Sequence, residues 1–138
     1  MNVLIDTPVW SFFLGRHRAD LSLSEQSLVH VFHELVREHR AELLGSTRQE
    51  LLSGIRHKEQ FERIRLFLRA FNDVPTTTDD YEHAAEMSTL CRRSGIAGST
   101  TDMLICAVSH HRHWAILSTD LDFVRYKRIL NIQLLSLP

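Results

Sequence analysis

Val3-Leu4-Ile5-Asp6 places three apolar residues in a row and closes them with an acid. An apolar run this short reads as a strand buried on both faces of a parallel sheet. Ala115-Ile116-Leu117 repeats the pattern ahead of the polar turn Ser118-Thr119-Asp120. Two further strands are expected at Glu42–Gly45 and Ile132–Leu135, with a brief extended piece at Asp73-Val74-Pro75. Between these runs the apolar residues fall at helical spacing. Leu28, Val31, Phe32, Leu35 and Val36 predict a helix from Ser24 to about Ala41, with Ser24 as its cap. Ser46 or Thr47 caps a short helix ending at Gly54, and Phe61, Ile64, Leu68 and Phe71 mark another from His57 to Ala70. Thr77-Thr78 opens a helix to Arg93, Ser99 or Thr100 caps one from Asp102 to His111, and a short one spans Phe123 to Arg128. Short apolar strands alternating with helices predict an α/β fold with a parallel sheet.

The 138 residues amount to one domain, 1–138, without repeat or low-complexity tract. Composition is that of a globular chain, 43% hydrophobic and 24% charged. No apolar run approaches the ~20 residues that cross a bilayer, and the first residues lack the basic flank of a signal peptide. Cys91 and Cys106 are expected as reduced, half-buried helix residues, which fits a cytoplasmic location. The net charge of −1 argues against promiscuous nucleic-acid binding. The sum conceals a division, however. If cations neutralise Asp6, Glu50, Asp102, Asp120 and Asp122, the 16 Lys and Arg outnumber the acids that remain of the 17.

Those five acids carry the chemistry. Asp6 follows one expected strand directly, and Asp120 stands three residues after Leu117 at the end of another. Ligands of open parallel sheets bind beyond the carboxyl ends of strands, where the strand order reverses. Glu50 and Asp102 lie in first turns of helices that begin at that edge, so all four can face one cleft. Crowded carboxylates raise one another's pKa, and a hard divalent cation relieves the repulsion. Taken singly, each acid also has a structural reading. A first-turn acid favours the helix dipole, and Asp120 and Asp122 suit a turn. Asp6 resists that reading, because a carboxylate closing an apolar strand needs a partner for its charge.

In four stretches the chain resembles the PIN-domain family, in particular the VapC-type toxins of bacterial toxin–antitoxin pairs. Val3-Leu4-Ile5-Asp6-Thr7-Pro8-Val9-Trp10 is similar to the family's first strand, its metal-binding Asp and the following Val-Trp pair. Glu50-Leu51-Leu52-Ser53-Gly54 resembles the second motif, Asp102-Met103-Leu104-Ile105-Cys106-Ala107 the third, and Thr119-Asp120-Leu121-Asp122-Phe123 the fourth. The resemblance implies a three-layer sandwich, its central parallel sheet of about five strands flanked by helices. It implies Asp6, Glu50, Asp102 and Asp120 as catalytic residues, with Asp6, Asp102, Asp120 and Asp122 holding Mg²⁺, for which Mn²⁺ could substitute. Thr7 and Ser118 would contact substrate. RNA as substrate, endonucleolytic cleavage, a cognate antitoxin and a homodimer follow from the same likeness. Pro8 departs from it, standing where many members carry Ser or Asn.

Two other classes compete. A non-catalytic PIN-like interaction domain, binding RNA or a partner protein, would be expected to have lost at least one acid. An aspartyl phosphoacceptor would group two acids near the first strand and need a Lys late in the chain, where only Lys127 stands. Of the nine His, His110, His111 and His113 crowd a helix end, where imidazoles favour the dipole or solvent over a metal. Arg63, Arg65 and Arg69 read as a solvated helix face before an RNA track. Trp10, Phe12 and Phe13 read as core or dimer contacts before base-stacking platforms.

Overall fold

A computed structural model describes residues 1–15 and 20–137. The chain runs β1 (Val3–Ile5), α1 (Thr7–Leu14), α2 (Leu23–Arg37), β2 (Ala41–Glu42), α3 (Gly45–Ser53), α4 (Lys58–Leu68), α5 (Thr78–Arg93), α6 (Thr100–Arg112), β3 (Ala115–Leu117), α7 (Asp122–Lys127) and β4 (Gln133–Leu134). All strand pairs are parallel, in the order β2-β1-β3-β4. Among the described residues the sheet has four strands, against an expectation of about five. The extended piece at Asp73 contributes only an isolated parallel bridge to Leu43.

The three-residue central strands alternate faces, and that alternation builds the layers. Val3, Ile5, Ala115 and Leu117 join a core with Val9 and Trp10 of α1, Leu28, Phe32 and Leu35 of α2, Leu51 of α3, and Ile64 and Leu68 of α4. Leu4 and Ile116 point the other way, into a core with Met87 and Cys91 of α5, Met103 to Val108 of α6, and Phe123 and Tyr126 of α7. Helices therefore cover both faces, as a parallel sheet requires.

Several boundaries move for identifiable reasons. Ser22, not Ser24, caps α2, and its hydroxyl and the Glu25 carboxylate form a reciprocal capping box. Leu44 stands at the cap of α3, so Ser46 and Thr47 fall inside the helix rather than before it. Their buried hydroxyls meet no hydrogen-bond partner among the described residues. Thr77 and Ser99 cap α5 and α6 as expected. The α5 helix ends at Arg93, and Gly95, just beyond the Ser94 cap, has a φ of +77° that suits the left-handed turn closing it. Cys91 and Cys106 are free thiols on helices, but both are fully buried rather than half-buried.

The α1 helix has no counterpart in the apolar patterning. Asp6 caps it, accepting from the Thr7 N–H at 2.8 Å, and Pro8 sits in its first turn, where a missing N–H costs nothing. Trp10 is core: fully buried, it donates through Nε1 to the Ile5 carbonyl and packs edge-on against Phe32 and Phe71. Phe13 stacks on Phe32 with ring centroids 3.7 Å apart. Arg65 of the α4 basic run pairs with Glu62 across one helical turn.

Candidate active site

From β1 the chain passes to β2 on one side, whereas β3 pairs with β1 on the other and continues outward to β4. The strand order therefore reverses between β1 and β3. Asp6 and the Ser118–Asp120 turn leave the carboxyl ends of these two strands, joined by a hydrogen bond from the Asp6 N–H to the Leu117 carbonyl. The cleft that parallel sheets open at this point is lined with acids.

Asp6 lies deepest, with 3% of its surface exposed. Both carboxylate oxygens are held by neutral donors: Oδ1 by the Thr7 N–H, and Oδ2 by the Ser118 hydroxyl at 2.7 Å. Burial pushes its pKa up to about 6, against the pull of those hydrogen bonds, and the charges of Asp102 and Asp120 push the same way. Asp102 occupies the first turn of α6, where its N–H donates to Ser99 Oγ. Its Oδ2 accepts from the Tyr126 hydroxyl at 2.7 Å. Burial raises its pKa as well, with Asp120 and Asp122 adding to the effect and the bonds from Tyr126 and Ser99 opposing it.

Asp120 and Asp122 stand at the rim. The Asp122 N–H donates to Asp120 Oδ1 at 2.9 Å, which orders the turn, and Arg125 pairs with Asp122 at 2.6 Å. Asp102, Asp120 and Asp122 each offer an oxygen within 4.8 Å of the others, close enough to share one ion. Glu50 projects from α3 and is not part of that trio. It is tied to the cleft by the Thr7 hydroxyl, which donates to its Oε2 at 2.9 Å.

Hydrogen bonds thread the acids together. The Asp120 N–H donates to Ser118 Oγ, the Ser118 hydroxyl donates to Asp6, the Thr7 N–H donates to Asp6, and the Thr7 hydroxyl donates to Glu50. The two hydroxyl residues expected beside substrate thus spend their protons on carboxylates. The donor set consists of hard oxygens from separate elements, and the pKa of its two inner members is raised by burial and by like charge. Such a set fits a divalent cation of the magnesium class.

The family model of the PIN domain matches residues 3–129. The chain belongs to the PIN domain family. Solved structures with the same fold are distant in sequence. FitAcB from Neisseria gonorrhoeae shares 16% identity over 97% of this chain and 96% of its own, with a TM-score of 0.73. VapBC2 from Rickettsia felis, bound to a DNA fragment from its promoter, shares 17% over 98% of each chain, with a TM-score of 0.74. VapBC-1 from nontypeable Haemophilus influenzae shares 13% over 99% of this chain and 98% of its own, with a TM-score of 0.70. No curated protein gives a match to the chain.

In this PIN domain the sequence reading passed over Tyr126. Its ring is buried against Phe123, and its hydroxyl donates to Asp102 Oδ2 at 2.7 Å. A tyrosine three residues after an Asp-Phe pair carries no motif of its own. Only the packing of α7 against α6 shows where its hydroxyl ends. The double use of Ser118, accepting from Asp120 and donating to Asp6, is equally a product of the fold.

Proposed function

We propose that this PIN domain is a Mg²⁺-dependent endoribonuclease, the toxin half of a toxin–antitoxin pair. The observation that carries the reading is the acid cluster at the switch point: Asp102, Asp120 and Asp122 present oxygens within 4.8 Å of one another, and hydrogen bonds through Ser118 and Thr7 link Asp120, Asp6 and Glu50 beside them. Asp6, Asp102, Asp120 and Asp122 hold the metal, and Mn²⁺ substitutes for Mg²⁺. When bound, the ion supplies a water acidic enough to react near neutral pH and counters the charge building on the phosphate. Glu50, held through Oε2 by the Thr7 hydroxyl, would take up the proton of the attacking water. Thr7 and Ser118 line the approach of the substrate and keep Glu50 and Asp6 in their rotamers. Tyr126 and Ser99 do the same for Asp102.

The structural likeness to FitAcB and VapBC complexes supports an antitoxin as partner. A homodimer and a cytoplasmic setting go with the same reading. No helix among the described residues is long and apolar enough to cross a membrane. The test is cleavage of an end-labelled structured RNA by the purified chain. We expect internal cuts with Mg²⁺ or Mn²⁺, none in chelator, and none from Asp6→Asn or Asp102→Asn variants that keep the far-UV circular dichroism of the parent. Cleavage undiminished in both variants would sink the assignment. RNA binding without turnover at any metal concentration would turn it toward an interaction domain.

A further inference from the structure

We propose that His83 and His111 form a second metal site, for a transition ion of the Cu²⁺, Ni²⁺ or Zn²⁺ class, at the end of α6 opposite the acidic cleft. His83 Nδ1, on α5, faces His111 Nε2, in the last turn of α6, at 2.9 Å. Two nitrogens bound at right angles to one ion, each about 2.1 Å from it, lie about 3 Å apart. The hydrogen bond that joins the pair holds the two nitrogens at that spacing, and a metal ion would take the place of the shared proton. The two rings are stacked, with centroids 4.8 Å apart and planes inclined by 26°.

The protonation pattern of the cluster is set by groups behind the rings. Asp80 Oδ1 lies 2.6 Å from His111 Nδ1, and the Asp80 side chain is only 2% exposed. Its other oxygen accepts from the Thr77 N–H at 2.9 Å and faces Arg112 at 3.4 Å. A carboxylate so engaged only accepts, so in the neutral imidazole His111 Nδ1 carries the hydrogen and Nε2 accepts the hydrogen bond from His83 Nδ1. The same logic applies to His110, whose Nδ1 lies 2.9 Å from the Asn131 carbonyl oxygen, which leaves Nε2 as its lone pair. Ligand histidines characteristically donate their second ring N–H to a carboxylate or a backbone carbonyl, and both arrangements occur here. The His110 ring stands 5.2 Å from that of His83, a third imidazole at the rim of the pair.

Imidazole selects copper, nickel and zinc, whereas carboxylates select magnesium and manganese. His111 lies nine residues beyond Asp102 on one helix, about 14 Å along its axis. The two sites are thus separate in place and in chemistry. A metal here would tie α5 to α6, two helices that already pack along their lengths.

The test uses the untagged full chain in saturating Mg²⁺, so that the acidic cleft is filled, titrated calorimetrically with Cu²⁺, Ni²⁺ and Zn²⁺. We expect an equivalent of each to bind, Cu²⁺ most tightly, with affinity at least tenfold weaker in His83→Gln and in His111→Gln. Asp80→Asn should weaken it by about 10- to 100-fold by releasing the His111 ring. Since that variant also loses a buried charge, His83→Gln decides the matter if Asp80→Asn does not fold. The electron paramagnetic resonance spectrum of the Cu²⁺-loaded parent should show hyperfine structure from at least two imidazole nitrogens. Absence of binding, binding unchanged in both histidine variants, or a single-nitrogen spectrum would overturn the site.

Discussion

Asp6 and Asp80 are both aspartates, both nearly inaccessible, and both placed at the start of a helix, yet their surroundings do opposite things to them. Burial would raise the pKa of Asp80, but hydrogen bonds from His111 and the Thr77 N–H, together with Arg112, more than reverse that and hold the carboxyl below the usual range. Asp6 has two neutral donors and two acidic neighbours, and its carboxyl rises to about 6. One buried charge is compensated by the protein; the other waits for compensation from outside. Burial alone therefore does not decide how a carboxyl titrates; the charges beside it do.

Removing Asp80 should have the largest effect on folding. Asp80→Ala strands Arg112 and His111 and breaks the capping box of α5. We expect a loss of about 3–5 kcal/mol, read as a lower urea midpoint at unchanged m-value. A loss below about 1 kcal/mol would mean that the cluster is solvated rather than buried. The two aspartates should also respond to pH with opposite sign. Because the folded carboxyl of Asp80 titrates below its unfolded value, its contribution is complete above the unfolded pKa and vanishes as pH falls through the folded one.

Asp6 titrates higher in the folded chain, near 6, than the roughly 3.9 of an unfolded aspartate. Its contribution is complete below the unfolded value and is lost as pH rises through the folded one. In chelator, stability should fall by up to about 3 kcal/mol between pH 4 and 7, and Asp6→Asn should flatten that slope and exceed the parent at neutral pH. A parent whose unfolding free energy is level across this range would remove the contrast between the two residues. Added Mg²⁺ at ten times its dissociation constant should restore about 1.4 kcal/mol to the parent at pH 7, read as a rise in Tm, and little to Asp6→Asn or Asp102→Asn. The smallest effect belongs to Tyr126→Phe. Loss of its hydroxyl should weaken Mg²⁺ binding by about tenfold while the fold persists, because the ring stays in the core and only the orientation of Asp102 relaxes.

Much of this was legible in the chain itself. The apolar runs at Val3–Ile5 and Ala115–Leu117 became the two central strands, and the acids behind them reached one cleft because parallel strands deliver their carboxyl ends to one edge. What escaped is instructive. The α1 helix was missed because Val9, Trp10, Phe12, Phe13 and Leu14 leave almost no polar face, so it lacks the period that announces a surface helix. Its signals were Asp6 as cap and Pro8 in the first turn, and Asp6 had already been assigned to chemistry. Ser46 and Thr47 looked like caps by residue type, but the sharp exit from Leu44 started α3 earlier. The bond from His111 to Asp80 and that from Tyr126 to Asp102 carried no local signature, since in each the partners lie more than 20 residues apart.

One feature of α6 fixes more than its sequence does. From Met103 to Ser109 every residue of this helix is buried, while Asp102 at one end joins the acidic cleft and His111 at the other meets His83 and Asp80. Inserting or deleting a single residue between them would swing one end about 100° relative to the other, with no exposed turn to absorb the twist. In divergent descendants of this chain, apolar side chains along the rod should exchange readily, while its residue count stays constant.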